Sequence, residues 1–434
     1  MASASRVTAS RTAIGERTKR QHFCGPAARV ARYLHDGAMR VLFTFTGGSG
    51  HFLPAIPIAR AAVARGNTVA FSAQEMMLGA VEAAGFPAIS SGGRTLADPS
   101  LRGPLLPVDR GHEERVIRDV FAGIMARERA ARLLEVYGRW QPDVVVRDEV
   151  DFGAAVAAER LGIPHASIVV LAAGGLIRPD LVGEPLDALR VEHALPADPQ
   201  LEMLHRHLTL VPVPPTYRTP SDPLPATARH IRPAVLDSTP MPAQHDAPGT
   251  LVLDWLHERS GRPTVYFTLG TVFHQESGDL FSRVVAGLRE LDANIIVTVG
   301  REIDPAELGH QPDNVRIDRF VRQETLLPHC DVVVSHAGSG IVIGALAFGV
   351  PLVLLPMGAD QPLNADRCKS LGVARVLDPI TVSSGDVRLA VIDVLRAPGY
   401  RNAATRIQHE TAELPTSADA ATWIEGLSRA DPSR

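Results

Sequence analysis

Cysteine is scarce in this chain. Only Cys24, Cys330 and Cys368 occur in 434 residues, odd in number and far apart. Such spacing offers neither a disulfide framework nor a thiolate metal cluster, so the expected compartment is the reducing cytoplasm. Long hydrophobic runs are missing too. A spanning helix needs roughly 18 to 20 apolar residues. The longest candidate, Ile163 to Leu176, is interrupted by Pro164, His165 and glycines, so no stable membrane insertion is expected. The N-terminus lacks the apolar core of a secretory signal. Excess positive charge is also absent. A formal net charge of -4 and a pI near 6.5 argue against a nucleic-acid partner.

What remains is an ordinary globular composition, 45% hydrophobic and 21% charged, with length for two or three domains. Residues 1–38 stand apart, rich in Arg, Ser and Ala. They read as a disordered tail, a targeting peptide, or an extension upstream of a true start at Met39, with tail or extension preferred. From Met39 an alternation begins. Strands are expected over Arg40–Thr46, Asn67–Ser72, Pro142–Arg147 and Pro164–Leu171. Helices are expected over Leu53–Ala64, Glu75–Ala84, Glu113–Trp140 and Phe152–Leu161, with Pro57 kinking or delaying the first. Ser90–Gly111 reads as a long loop. This order implies an α/β domain with a parallel sheet over 39–211. The proline-rich stretch 212–249 reads as a linker. A second α/β domain follows over 250–415. Its strands are Thr264–Leu269, Asn294–Val299, Val315–Ile317, Asp331–Ser335, Pro351–Leu355 and an edge strand Val373–Leu377. Its helices include Asp279–Leu291, Ile341–Phe348 and one containing Asp366–Leu371. Residues 416–434 hold a helix, Ser417–Arg429, able to return to the first domain.

Ser335-His336-Ala337-Gly338-Ser339-Gly340 joins an apolar β-branched strand to an apolar helix. A Gly-rich turn of this kind leaves backbone N–H groups at a helix N-terminus, where the dipole favours an anion. A diphosphate is the simplest ligand. Equally, the glycines could serve only a tight turn. In open parallel sheets ligands sit beyond the carboxyl ends of the strands. The first half places Gly47 to His51 and Asp148-Glu149 there. The second places Gly270-Thr271, His336 to Gly340, and Gly358 to Gln361. From spacing alone His51 reads first as a cap on the following helix.

Two sets of residues carry a family resemblance. The first is Gly50-His51-Phe-Leu-Pro-Ala-Ile-Pro-Ile-Ala-Arg60, followed by Arg65-Gly-Asn-Thr-Val69. The second comprises Asn314 to Gln323, Leu326-Leu327-Pro328, His336-Ala-Gly-Ser-Gly340, Gly349-Val-Pro351 and Asp360-Gln361-Pro-Leu-Asn364. In order and spacing the chain resembles the UDP-glycosyltransferase superfamily from Met39 onward. It is most similar in pattern to the bacterial enzymes that glycosylate macrolides and other natural products. The resemblance implies the GT-B fold, two Rossmann-like domains facing a cleft, with acceptor held by the first and nucleotide-sugar donor by the second. It implies inverting transfer, with His51 as general base and Asp148 as its orienting carboxylate; Glu149, one residue on, stays an alternative. An imidazole suits that task near neutral pH.

On the donor side the resemblance assigns the diphosphate to His336, Gly338, Ser339 and Gly340, with Thr271 adding a hydroxyl. Val321 and Gln323 would hold the base, and Asp360 and Gln361 the sugar hydroxyls. One position departs from the pattern. Many UDP-sugar relatives carry a glutamate on both ribose hydroxyls, eight residues after the diphosphate histidine, where this chain has Gly344. Deoxyribose has less need of that carboxylate, so a dTDP-sugar is the expected donor, with UDP-sugar left open. Arg322 stands where relatives often have proline, and no role is assigned to it. No Asp-x-Asp ends a strand. No metal and no cofactor are therefore expected, the nucleotide sugar being a co-substrate. The acceptor is expected to be a small hydrophobic molecule, read by loops Ser90–Gly111 and Ala172–Leu208, whose few aromatics give no further clue. A homodimer is left open. An epimerase of the same fold and a non-catalytic auxiliary protein are the competing readings.

Overall fold

The structure is a computed structural model and describes residues 38–92, 103–237, 247–270 and 276–429. Thr271 lies outside the described residues, as do 1–37 of the expected extension, 93–102 of the first loop and 238–246 of the expected linker.

The first sheet is parallel and seven-stranded, in the order β3-β2-β1-β4-β5-β6-β7. Its strands are β1 Arg40–Thr44, β2 Thr68–Ala73, β3 Ala88–Ser90, β4 Val144–Asp148, β5 His165–Ile168, β6 Leu208–Val211 and β7 Ala228–His230. The central strands are buried on both faces, which explains continuous apolar runs such as Val144-Val145-Val146. The second sheet is parallel and six-stranded, β10-β9-β8-β11-β12-β13. It comprises β8 Thr264–Thr268, β9 Asn294–Thr298, β10 Val315–Asp318, β11 Val332–Ser335, β12 Leu352–Leu354 and β13 Ala374–Val376. Both sheets follow the Rossmann order, whose ligand crevice opens where the chain reverses direction across the sheet.

Several elements differ from expectation. The helix expected over Leu53–Ala64 begins at Ala55, and a separate short helix, Ser49–Phe52, forms in the loop before it. Pro54 starts the longer one, because its missing N–H costs nothing in a first turn. His51 consequently sits on its own short helix. The helix expected over Glu113–Trp140 begins at Arg110 and runs as wide π-helical turns over Val116–Met125 before Ala126–Trp140. The stretch read as linker supplies β7, hydrogen-bonded in register to β6 through Thr209↔Ala228 and Val211↔His230. Helices Pro179–Glu192, Ala247–His257, Ser384–Arg396 and Pro398–Ala412 had no counterpart in the sequence reading.

The terminal helix Ser417–Arg429 lies on the first domain. Ala420, Ala421 and Ile424 join the core made by Val41, Phe43, Ile58 and Phe71. Burying an isoleucine there is worth about 1.5–3 kcal/mol. Glu425 takes a two-pronged contact from Arg65, 2.8 Å at each nitrogen. The two passages between domains touch each other, the Arg232 N–H donating to the Pro415 carbonyl at 2.8 Å.

Candidate active site

His51 and Asp148 meet at the carboxyl end of the first sheet. β1 pairs with β4 through Thr44↔Arg147, which brings the turn after β1 alongside the last residue of β4. His51 Nδ1 lies 3.1 Å from Asp148 Oδ2. Asp148 is nearly sealed from solvent, while 22% of the His51 side chain remains open to the cleft. The carboxylate is held by the backbone: Oδ2 accepts the Thr46 N–H at 2.9 Å, and Oδ1 accepts those of Val150 at 2.8 Å and Asp151 at 2.7 Å. Burial pulls the His51 pKa down, but the hydrogen bond and charge of Asp148 outweigh it, helped by the charges of Asp360 and Glu149. The imidazole is held above its ordinary value. Gly47 makes room for it: at φ +114°, an added Cβ would lie 2.7 Å from the ring.

The two adjacent acids point in different directions, and only Asp148 contacts His51. Glu149 turns away from His51 and accepts the N–H groups of Val170 at 2.6 Å and Leu171 at 2.5 Å. Its burial pushes its pKa up to about 7, although Arg218 and the two N–H groups pull the other way. Behind Asp148, Arg129 and Asp151 form a fully buried ion pair that also engages Thr44 and Ser91. The sequence reading missed this pair. Arg129 falls within a helix expected to be ordinary, and only its burial reveals the network.

On the other side, β8 pairs with β11 through Thr268↔Ser335, placing His336 beside Gly270. The imidazole is packed between two glycine backbones. An added Cβ would lie 2.5 Å from the ring at Gly270 and also at Gly338. Gly338 is the N-cap of helix Ser339–Ala347, and no side chain caps this end. The first N–H groups, at Ser339, Gly340 and Ile341, have no intrahelical partner and suit an anion. The Ser339 hydroxyl is already committed: it donates to Asp360 Oδ2 at 2.6 Å and accepts the Ala172 N–H, from the first domain, at 2.8 Å. Asp360 also accepts Asn364 Nδ2 at 2.8 Å, and burial raises its pKa against the pull of these bonds. Its charge adds to those of Asp148 and Glu149 in holding the His51 pKa up.

Gln361 is buried, and its Oε1 accepts the N–H groups of Met357 at 2.8 Å and Gly358 at 3.3 Å. That oxygen shapes the loop and is not free for a sugar. Val321 is buried in the second domain's core, leaving only its backbone for a base. Gln323 opens a short helix beside Gly344, where an added Cβ would stand 3.3 Å from Gln323 Oε1 and 3.2 Å from Leu327 Cδ1. A side chain there would be a tight fit, and the Gln323 and Leu327 side chains would have to give way by a few tenths of an ångström. Asn364 was seen in the sequence only as part of a motif. It bonds Ala337, Ser339, Asp360 and Ala173 at once.

A pocket of about 410 Å³ lies away from these residues, at the amino ends of β5 and β6, and is lined by Glu159, Arg206, His207 and Leu427 among others. It holds a closed Arg206–Glu159 pair, 2.9 Å apart, and has no link to His51 or His336. Among the described residues, no three His, Cys, Asp or Glu side chains are arranged to hold a metal ion, and no helix is long and apolar enough to cross a membrane.

Comparison with known proteins gives a consistent picture. Residues 282–427 match the family model described as erythromycin biosynthesis protein CIII-like, C-terminal domain. The chain is 30% identical to 4'-demethylrebeccamycin synthase of Lentzea aerocolonigenes, over 89% of this chain and 99% of that protein. It is 32% identical to aclacinomycin-T 2-deoxy-L-fucose transferase of Streptomyces galilaeus, over 72% of this chain and 69% of that protein. Among solved structures it resembles the glycosyltransferase VinC, crystallised with dTDP, with a TM-score of 0.69 and 24% identity, over 91% of this chain and 100% of that one.

Proposed function

The chain belongs to the bacterial natural-product glycosyltransferases of the GT-B fold, and on that basis we propose that it is an inverting, metal-independent cytoplasmic enzyme. It transfers a sugar from a dTDP donor to a hydroxyl group of a small hydrophobic acceptor. One observation carries this reading: at the carboxyl end of the first sheet His51 Nδ1 lies 3.1 Å from the buried Asp148 carboxylate, with an uncapped helix N-terminus at the corresponding end of the second sheet.

The Asp148 carboxylate keeps the His51 proton on Nδ1 and leaves a lone pair on Nε2. Nε2 takes the proton of the acceptor hydroxyl as its oxygen attacks the anomeric carbon. The bond from that carbon to the diphosphate oxygen breaks on the opposite face, and its electron pair leaves with the nucleotide. Inversion follows from the in-line geometry. Asp148 stabilises the imidazolium that forms. The N–H groups of Ser339, Gly340 and Ile341, together with His336, oppose the charge gathering on the leaving diphosphate. Asp360, which accepts the Ser339 hydroxyl at the start of that helix, suits the donor sugar's hydroxyls.

The preference for dTDP rests on Gly344. Glycine at this position offers no carboxylate to a 2′-hydroxyl, and a side chain there would press on Gln323 and Leu327. The dTDP bound to the solved neighbour VinC supports the same choice. The test is a thermal shift with dTDP and with UDP, followed by a donor panel. A nucleotide that binds only the folded state raises its melting temperature; dTDP is expected to raise it more than UDP. Turnover with UDP-glucose and none with any dTDP-sugar refutes the donor assignment.

A further inference from the structure

The segment Val170–Gly175 is made of small apolar residues, yet nearly every peptide in it is spoken for. Glu149 accepts the N–H groups of Val170 and Leu171 at 2.6 and 2.5 Å. The Ala172 N–H donates to Ser339 Oγ at 2.8 Å, and the Ala173 N–H to Asn364 Oδ1 at 3.1 Å. Arg218 holds the Leu171 carbonyl at 3.0 Å, and Asp222 accepts the Gly175 N–H at 2.6 Å. Four consecutive N–H groups thus divide evenly, the first pair to the acceptor domain and the second pair to the donor domain. Glu149 is the residue after Asp148, and Ser339 opens the helix proposed to receive the diphosphate. Ser339 Oγ also holds Asp360 at 2.6 Å.

We propose that Val170–Gly175 is a strap that sets the two halves of the active site against each other, and that Glu149 is the positioning residue anchoring it to the acceptor domain. This rests on the donor assignment above. Glu149 touches neither His51 nor the helix N-terminus. It acts through the strap on Ser339, and through Ser339 on Asp360 and the first turn of the helix. A carboxyl group suits the anchor because one of its oxygens, with two lone pairs, can accept two converging N–H groups.

Two measurements test the strap. In the unmodified protein, hydrogen exchange at Val170–Ala173 should slow when dTDP binds, although these amides belong to the acceptor domain; unchanged exchange under saturating dTDP overturns the proposal. Calorimetric titration with dTDP then reads Glu149→Ala, Glu149→Gln, Ser339→Ala and the Glu149→Ala/Ser339→Ala double variant. Glu149→Ala should weaken dTDP about tenfold, and Glu149→Gln, which keeps an acceptor oxygen, should recover to within about threefold of the unmodified protein. Because both residues act through one strap, the double variant should bind no more weakly than the weaker single. Affinity unchanged in Glu149→Ala, or penalties that add in full, overturns the proposal. If UDP binds and dTDP does not, the base preference is wrong, and the same cycle read with UDP still decides the strap. Binding of neither nucleotide overturns the donor site and the strap's function with it.

Discussion

Replacing Asp148 by asparagine removes one charge and almost no volume, so its effect can be worked out atom by atom. Oδ1 accepts the backbone N–H groups of Val150 and Asp151, and Oδ2 accepts that of Thr46 and faces His51 Nδ1. An asparagine will keep its oxygen where two N–H groups converge. Its NH2 then stands at the Oδ2 position, opposing the Thr46 N–H and donating to His51 Nδ1. That bond forces the imidazole proton onto Nε2, and the lone pair that should take the acceptor's proton is gone. The Thr46 N–H is left without an acceptor, at a cost of about 1–3 kcal/mol in stability. Loss of a general base lowers turnover by about 10²- to 10⁴-fold, or about 3–5 kcal/mol of barrier. Affinity for dTDP should hold, because Asp148 belongs to the acceptor domain and its carboxylate is taken up by Thr46, Val150, Asp151 and His51.

The pH profile separates this account from a general loosening of the site. His51 must be neutral to act, so the rate rises with pH through its pKa, which Asp148 holds above 6.5 in the unmodified protein. Without the carboxylate's charge that limb should move to lower pH while its plateau falls. The assays are donor consumption with an acceptor panel from pH 5 to 9 (a conventional range around the histidine pKa of about 6.5), dTDP calorimetry and thermal melting. An Asp148→Asn enzyme that keeps its turnover within about threefold, or keeps its limb in place, refutes the reasoning.

The remaining predictions concern the other domain and the far end of the first sheet. Gly338→Ala should weaken dTDP by about tenfold or more with little change in melting temperature, because its Cβ would lie 2.5 Å from His336 Nε2 and the ring must move; calorimetry decides it against Gly426→Ala, whose Cβ meets nothing within 4 Å. His165 is buried, and desolvation lowers its pKa to about 4 despite Glu159 nearby. The unfolded chain therefore takes up a proton near pH 6.5 that the folded chain refuses, so stability falls as pH drops from 6.5 towards 4, by on the order of 3 kcal/mol. His165→Phe should flatten that part of the urea-midpoint profile; an unchanged slope means the proton goes elsewhere.

The central strands were legible because their chemistry is local. Val144-Val145-Val146 and Val332-Val333-Val334 are buried on both faces and read as such without knowledge of their neighbours. Edge strands β3 and β7 were not legible. Ala88–Ser90 and Ala228–His230 are three residues each and partly exposed, and they are strands only because β2 and β6 offer free edges. Helix Pro179–Glu192 was hidden by Pro179 and Pro185, the first harmless in a first turn and the second tolerated inside the helix. In the site, His51 and His336 could be picked out as strand-end residues. Asp148 was preferred to Glu149 only through the resemblance, since neighbours at a strand end point in different directions and only the fold says which way. Val170–Gly175 offered no signal, because its chemistry lies in backbone N–H groups that every sequence possesses.

The returning helix Ser417–Arg429 has a consequence for anyone recombining this protein with its relatives. The donor domain is an insertion within the acceptor domain: the chain leaves after β7 and comes back near Pro415. Exchanging everything downstream of a single junction would replace Ala420, Ala421 and Ile424 in the acceptor domain's core and Glu425 against Arg65 and Asn67. A chimera that borrows another donor specificity therefore needs two junctions. They belong at the adjoining passages near Arg232 and Pro415, which the chain already pairs by a backbone hydrogen bond.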